Sequence, residues 1–237
     1  MTNSLFFDIG ANRGEATYTA LSEHGFTRVV AVEPAPRMFP LLAENFYGDS
    51  RVIPLKFAVS DTPFESIEFY ECGTGQYGDG DGMSTMDITW LNGETARFDG
   101  YDNYRVVKAT TCTLDWLIEQ YGKPKLVKID VEGGETQVMR GLTQHAGTIT
   151  FEWVFERLDQ HIEDIERLAK ICGYTEYGPQ YVRPHLLEPD KYFPISSIRT
   201  TFKDWLDATA SAWEADGHRV NPEHLYSKAD TGMLWVR

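Results

Sequence analysis

The N-terminal half of the chain alternates short apolar runs with amphipathic stretches, and this alternation restricts the fold more than any other feature of the sequence. Residues 5–9 predict a first strand, a glycine-bearing turn at 10–14 leads into a predicted helix over 15–24, and residues 29–32 predict a second strand. Strand, helix and parallel strand form the βαβ unit, which builds parallel sheets covered by helices. We therefore predict an α/β fold with a doubly wound, mostly parallel sheet.

The remainder of the chain continues this pattern over the length of one domain. The third strand is predicted over 52–59, with an additional strand near 67–70 at the edge of the same sheet. Further strands are predicted over 106–112, 126–129, 149–155 and 233–236, the last as an edge strand, and further helices over 38–46, 113–121, 135–142, 162–172 and 202–213. Because 237 residues suffice for one full core, residues 1–237 are expected to form a single domain.

Residues 73–104 interrupt the alternation. This stretch contains Gly-Thr-Gly, Gly-Asp-Gly-Asp-Gly and scattered aromatic residues without a sustained hydrophobic period. Irregular segments of this length in compact domains are usually functional lids or flexible connections. We therefore predict an inserted flap over the active site at 73–104.

The charge balance excludes several classes of partner. The chain has 36 acidic residues against 22 Lys and Arg, a formal net charge of -14. Such a field repels phosphate backbones and anionic membrane surfaces, so nucleic acid is not expected as a partner. No apolar run reaches the roughly 20 residues that a bilayer requires, and the N-terminus lacks the layout of a signal peptide, so we expect no membrane span and a cytoplasmic location. The cysteines, Cys72, Cys112 and Cys172, are expected to be small buried apolar residues.

The first strand ends in the motif Asp8-Ile9-Gly10-Ala11-Asn12-Arg13-Gly14. Open α/β sheets bind ligands at this point, and Gly10 would allow a ligand to approach the backbone closely. A dinucleotide site would require G-x-G-x-x-G, whereas position 12 is Asn, which argues against NAD. The carboxylate of Asp8 favours instead a cationic or polyhydroxylated ligand, such as an amino-acid ammonium group or the sulfonium cofactor that carries one.

Two further strand ends predict a nucleoside site beside this turn. Glu33 lies about 20 residues after the glycine turn, where an acidic side chain can accept both hydroxyls of a ribose. Ala58, Ser60 and Asp61 follow the third strand, where backbone groups and a side chain could meet the edge of an adenine.

The most distinctive stretch is Lys128-Ile129-Asp130-Val131-Glu132-Gly133-Gly134-Glu135. Here a buried strand ends in three carboxylates and two glycines. Like charges this close perturb one another's pKa, which makes them candidates for general-base chemistry. The alternative is that these acids only occupy a helix N-terminus, where the helix dipole favours negative charge.

Taken together, these motifs resemble those of FkbM-type methyltransferases, of the class I, Rossmann-like superfamily. The resemblance spans about residues 5–155. It is carried by Asp8-Ile9-Gly10-Ala11-Asn12, Val32-Glu33-Pro34, Ser60-Asp61, Thr113-Leu114-Asp115 and Lys128-Ile129-Asp130-Val131-Glu132-Gly133. It implies S-adenosylmethionine as cofactor and methylation of a hydroxyl of a sugar, glycan, glycolipid or related small natural product.

The resemblance also implies roles for individual residues. The cofactor-binding set is Asp8, Gly10, Asn12, Gly14, Glu33, Ala58, Ser60, Asp61 and Asp130. Within this set, Asp8, Gly10 and Asn12 would line the methionine part, Glu33 would bind the ribose, and Ser60 or Asp61 the adenine. Asp130 and Glu132 would face the methyl group, and Glu152 on the following strand would be a second catalytic carboxylate.

Several alternatives remain at this point. Glu132 or Glu152 is the expected base, with His161 as a third candidate. We expect no metal, because nothing in the sequence fixes the geometry of these oxygens, although a divalent cation held by Asp130, Glu132 and Glu152 could acidify a hydroxyl directly. The rival functions are a non-catalytic S-adenosylmethionine or nucleoside-binding module and an NAD-dependent sugar-modifying enzyme. The absence of G-x-G-x-x-G and of a Y-x-x-x-K pair argues against the NAD enzyme.

Overall fold

The computed structural model describes residues 4–73, 81–92, 101–180, 186–215 and 231–237. Its strands are β1 (Leu5–Ile9), β2 (Arg28–Val32), β3 (Val52–Leu55), β4 (Ala58–Val59), β5 (Ser66–Cys72), β6 (Tyr104–Cys112), β7 (Leu126–Ile129), β8 (Thr148–Val154), β9 (Glu176–Gln180), β10 (Phe193–Pro194) and β11 (Thr231–Val236). Its α-helices are α1 (Glu15–Ser22), α2 (Met38–Asn45), α3 (Leu114–Tyr121), α4 (Glu135–Arg140), α5 (Leu158–Cys172) and α6 (Ile198–Ala215).

Within the described residues the strands form two sheets. The main sheet has eight strands in the order β10-β9-β11-β8-β7-β1-β2-β3, and the strands from β8 to β3 run parallel. A second sheet of three strands has the order β4-β6-β5. The prediction of an α/β fold with a mostly parallel sheet is confirmed.

Helices cover both faces of the main sheet, which is why most residues of its central strands are apolar. Phe6 packs in one cluster with residues of α1 and α2 such as Ala20 and Leu42. Its neighbour Phe7 points to the opposite face, where the core contains residues of α3, α4, α5 and α6. Successive side chains of a strand point to opposite faces, so a strand buried on both sides needs a continuous apolar run.

Two predictions about strand pairing were wrong. The single strand predicted over 52–59 is divided, because Val52–Leu55 pairs with β2 whereas Ala58–Val59 leaves the main sheet and pairs with the end of β6. The strand near 67–70 pairs antiparallel with β6 and not with an edge of the main sheet. Their apolar residues identify Ala58–Val59 and Ser66–Cys72 as strands. The strand with which both pair, β6, lies more than 30 residues further along the chain, so the local sequence does not predict the pairing.

The closing strand is also placed differently from the prediction. β11 lies between β8 and β9 and pairs antiparallel with both, so it is not an edge strand. Met233 and Trp235 pack on one face of the sheet, and Leu234 and Val236 on the other. The C-terminal strand therefore completes the core on both faces.

The described part of the predicted flap packs against the rest of the fold. Short 3-10 turns occupy Asp81–Met83 and Ile88–Trp90, and Trp90 and Leu91 are buried. Thr85 forms a bridge with Tyr70 of β5. Residues 74–80 and 93–100 of the flap lie outside the described residues.

Cys72, Cys112 and Cys172 are buried free thiols, as predicted. None of the helices in the described ranges combines the length and the apolar character needed to cross a bilayer.

The central position of β11 predicts a strict size limit at Gly232. A Cβ there would overlap the carbonyl oxygen of Gln180 and lie 2.7 Å from Nε1 of Trp153. We expect Gly232→Ala to lower the free energy of unfolding by about 1–3 kcal/mol, as overpacking does. Gly82→Ala is the control, because no atom lies within 4 Å of its Cβ position. Equal midpoints for both variants in urea denaturation would contradict the placement of β11.

Candidate active site

A cavity of about 320 Å³ opens at the carboxyl ends of β1, β2 and β7. Ligands of open α/β sheets bind at this edge, and the volume is typical of a small-molecule site. Its walls include Gly10, Ala11, Asn12, Glu33, Phe57, Ala58, Val59, Phe69, Gly82, Ser84, Met86, Lys128, Asp130, Val131 and Glu132. The main sheet, the second sheet and the described part of the flap therefore all contribute to one site.

Gly10 begins the turn that forms the floor of the cavity. Its φ is +75°, and a Cβ at this position would overlap the carbonyl oxygen of Asp130. The amides of Gly10 and Ala11 both donate to the carbonyl oxygen of Val32, at 3.0 Å. Only glycine combines this backbone angle with this close packing, so the first strand end is fixed against its neighbours on both sides.

Glu33 directly follows β2 and lines the cavity, although it is only 6% exposed. One of its carboxylate oxygens accepts a hydrogen bond from the amide of Asn12 and the other from the amide of Ala35, each at 2.8 Å. Burial raises the pKa of Glu33 to about 7, against the opposing effect of these two hydrogen bonds. Each carboxylate oxygen can accept a second hydrogen bond, so the side chain retains acceptor capacity for a ligand.

A buried cation lies beside Gly10. The ammonium group of Lys128 is 3.4 Å from Oδ1 of Asp8 and 3.5 Å from Oδ2 of Asp130, and it donates to the carbonyl oxygen of Gly10 at 3.0 Å. Burial disfavours its charge, but the attraction of Asp130 and Asp8 outweighs burial and raises the pKa of Lys128. The second oxygen of Asp8 accepts a hydrogen bond from the hydroxyl of Thr17 at 2.7 Å.

The turn after β7 concentrates negative charge. Glu132 has a φ of +55°, in the left-handed region that residues other than glycine rarely adopt. Buried Glu135 stabilises the turn, because its Oε1 accepts hydrogen bonds from the amides of Val131 and Gly133. Burial, and next the repulsion of Glu152, raise the pKa of Glu135 to about 8.

Three carboxylates predicted to be catalytic come together at this turn. One oxygen from each of Asp130, Glu132 and Glu152 lies within 4.8 Å of the others. Glu152 lies in the middle of β8 and is buried, whereas Asp130 and Glu132 line the cavity. Such a group can accept a proton, and its oxygens are also the ligand type that hard divalent cations prefer.

The predicted cofactor-binding residues divide into two groups. Gly10, Asn12, Glu33, Ala58 and Asp130 line the cavity. Asp8, Gly14, Ser60 and Asp61 are not among its lining residues in the described part of the chain.

The second group has structural contacts instead. Asp8 is completely buried behind the turn. A Cβ on Gly14 would overlap the ring of Phe46. Ser60 is buried and its amide donates to the carbonyl oxygen of Cys112, while Asp61 is exposed.

His161, the third candidate base, is also away from the cavity lining. It is buried in α5, where its Nε2 accepts a long hydrogen bond of 3.4 Å from the amide of Val154. Burial lowers the pKa of His161 to about 3, so the ring is neutral at physiological pH.

Sequence reasoning missed the contributions of Lys128 and of the segment around Met86 and Trp90. A charged residue inside an otherwise apolar strand is a usable signal for Lys128, because a buried charge needs partners. No comparable signal exists for Met86 and Trp90, since their contacts with the acidic turn join residues more than 40 positions apart.

The raised pKa values predict how stability depends on pH. Between about pH 4.5 and 8 the folded protein keeps a proton on Glu135 that the unfolded chain has lost, so the free energy of unfolding falls as pH rises. Glu135→Gln should make the slope of unfolding free energy against pH shallower, by an amount that corresponds to up to about one bound proton. Exposed Glu119→Gln is the control. Denaturant titrations from pH 5 to 8 that give parallel curves for wild type and Glu135→Gln would contradict the assignment.

Comparison with known proteins gives agreement in sequence and in fold. Residues 8–176 match the Methyltransferase FkbM domain family. The hexuronic acid methyltransferase AglP of Haloferax volcanii is 26% identical over 154 residues, which is 63% of this chain and 54% of that protein. This chain therefore spans about half the length of that relative.

A solved structure agrees in fold. The crystal structure of methyltransferase FkbM from Methylobacillus flagellatus has a TM-score of 0.52 with 12% identity, over 99% of this chain and 44% of that one. At this identity the similarity concerns the fold alone. The family match, in contrast, covers most of the sequence and includes the strand ends that line the cavity, so the chain belongs to the FkbM methyltransferase family.

Proposed function

We propose that the protein is an S-adenosylmethionine-dependent O-methyltransferase that acts on a hydroxyl of a sugar, glycan, glycolipid or related small natural product. The observation that carries the proposal is the meeting of Gly10, Glu33 and the carboxylates of Asp130 and Glu132 in one cavity at adjacent strand ends. In this arrangement the backbone at Gly10 would contact the methionine part of the cofactor, Glu33 its ribose hydroxyls, and the two carboxylates its sulfonium.

The cavity fits the cofactor in size and chemistry. Gly10 and Ala11 line the cavity, so the methionine part can lie against the backbone of this turn. Glu33 has acceptor capacity for the ribose hydroxyls, and Phe57, Val59 and Phe69 provide apolar walls for a purine. Asp130 and Glu132 supply negative charge next to which a sulfonium is favoured.

The residues of the chain then have two tasks in the reaction. When bound, S-adenosylmethionine would supply an electrophilic methyl group for the acceptor oxygen, with the thioether S-adenosylhomocysteine as the leaving group. The cavity walls hold the acceptor oxygen in line with that methyl group and exclude water, which can supply much of the rate. Glu132, with Glu152 behind it, takes the proton of the acceptor hydroxyl.

The acceptor class is supported by the relative and by the acidic site. AglP is a hexuronic acid methyltransferase, and a hexuronic acid is a sugar that has both hydroxyl groups and a carboxyl group. The carboxylates of Asp130 and Glu132 line the cavity, where they can accept hydrogen bonds from hydroxyls. The acceptor screen therefore begins with sugars and glycosylated lipids and extends to nucleosides, with transfer of a labelled methyl group as the readout.

A metal-assisted reaction is the second mechanism, because three oxygens within 4.8 Å of one another can surround one cation.

A non-catalytic binding module is the second function. It would bind the cofactor through Gly10 and Glu33 and transfer no methyl group to any acceptor.

Cofactor binding gives the first test of the proposal. S-adenosylhomocysteine should raise the melting temperature and NAD should not, because a ligand of the folded state stabilises it. Glu33→Ala should weaken binding by about 1–3 kcal/mol in calorimetry, the cost of unpaired hydroxyls. It also leaves the amides of Asn12 and Ala35 without their acceptor, so affinity is compared at a temperature where both proteins are folded. Exposed Glu44→Ala is the control. If Glu33→Ala bound S-adenosylhomocysteine with unchanged affinity, Glu33 would not be a contact of the ribose.

The carboxylates give the second test. Glu132→Gln or Glu152→Gln should lower kcat by about 10² to 10⁴ with cofactor affinity retained, and a chelator should have no effect. Loss of activity with chelator, restored by a divalent cation, would establish the metal-assisted mechanism instead. Glu119→Gln should keep full activity, because its side chain is exposed and outside the cavity lining. Full activity in the double variant Glu132→Gln, Glu152→Gln with chelator present would leave positioning as the source of rate.

A further inference from the structure

Trp90 joins the described part of the flap to the acidic turn after β7. The residue is 1% exposed, and its indole Nε1–H donates a hydrogen bond of 3.2 Å to Oε2 of Glu132. A buried tryptophan needs an acceptor for this N–H, and here the acceptor is a carboxylate that lines the cavity. A side chain remote in sequence therefore fixes one oxygen of Glu132.

The two glycines of the acidic turn provide room for the flap. A Cβ on Gly133 would lie 2.8 to 3.0 Å from three atoms of the Trp90 ring, and φ at Gly133 is +93°. A Cβ on Gly134 would lie 2.9 Å from the terminal methyl of Met86. The indole is rigid whereas the end of a methionine is flexible, so Gly133 is the stricter requirement.

Arg157 holds the indole from the segment that follows β8. Its guanidinium lies 5.0 Å from the centroid of the Trp90 ring and donates to the carbonyl oxygen of Gly133. It also pairs with Asp87 at 2.9 Å and donates to the hydroxyl of Thr89 at 3.2 Å. One cation thus connects the ring, the acidic turn and the flap segment that carries the ring.

These contacts explain how Glu132 keeps its unusual backbone. A left-handed conformation at a residue other than glycine costs on the order of 1 kcal/mol or more, and it persists where the surroundings enforce it. Trp90 bonds to the side chain of Glu132 and packs on the next residue, Gly133. The carboxylate is thereby held near Asp130 and Glu152 at the cavity.

We propose that Trp90 is a positioning residue for methyl transfer, which acts by holding the Glu132 carboxylate toward the acceptor through its indole N–H. This inference rests on the proposed function. The described flap segment then has a second role besides lining the cavity, because its Trp90 orients the carboxylate that takes the proton.

The test is a double-mutant cycle on kcat. Trp90→Phe keeps a ring in the pocket and removes the N–H. We expect it to lower kcat about tenfold, the effect of one hydrogen bond to a charged group, with an unchanged KM for S-adenosylmethionine. In the Glu132→Gln background the same substitution should change kcat less than about twofold, because the carboxylate that Trp90 positions is already absent. Trp116→Phe, at a half-buried tryptophan outside the cavity lining, should leave kcat unchanged.

The outcomes separate this inference from the proposed function. Equal losses from Trp90→Phe in both backgrounds would mean a structural role and overturn the inference, while methyl transfer itself stands. An inactive wild type or a fully active Glu132→Gln would overturn the proposed role of Glu132 and the inference with it.

A second measurement needs no activity. The indole ¹H–¹⁵N resonance of Trp90, identified by its loss in Trp90→Phe, should shift in Glu132→Ala, which removes the acceptor, and not in the exposed control Glu68→Ala. An unmoved resonance in folded Glu132→Ala would show that the hydrogen bond is absent and would overturn the inference.

Discussion

The buried ammonium group of Lys128 is the interaction on which the geometry of the site depends. Asp8 and Lys128 are direct partners in the register between β1 and β7, at the centre of the main sheet, where both side chains are buried. An unpaired charge at this depth would cost several kcal/mol, so the three donors of the ammonium need acceptors. The carbonyl oxygen of Gly10 accepts a hydrogen bond from this ammonium, and the carboxylates of Asp8 and Asp130 form ion pairs with it, so the ends of β1 and β7 are fixed relative to each other.

The glycine turn and the acidic turn are consequences of the same close approach. With β1 and β7 joined this tightly, the chain after β1 must pass directly against the carbonyl of Asp130, which leaves no space for a side chain at Gly10. The amides of this turn donate to the carbonyl oxygen of Val32, at the end of β2, and to the carboxylate of Glu33, which follows it. A cavity with an open floor, a buried acceptor and a negative wall therefore results from packing, before any ligand is present.

Negative charge at the acidic turn is tolerated because several contacts restrain it. Glu135 holds the turn from inside through two amides, with a pKa raised to about 8 by burial, and Trp90 and Arg157 hold it from the flap side. Without these contacts, the left-handed backbone at Glu132 and the close carboxylates would each destabilise the fold. Their concentration at one strand end is the pattern expected of a site selected for chemistry and not for stability.

The sequence by itself determined the α/β class, most of the central strands and the strand ends that form the cavity, including Gly10, Glu33 and Asp130. These features are encoded locally, in hydrophobic period and in turn residues that follow directly after a strand. Tertiary structure alone decided the second sheet, the central place of β11, the burial of Asp8 behind Lys128 and the contact of Trp90 with Glu132. The physical reason is distance along the chain: an apolar period shows that a segment is buried, but its partner is chosen by packing among segments tens of residues apart.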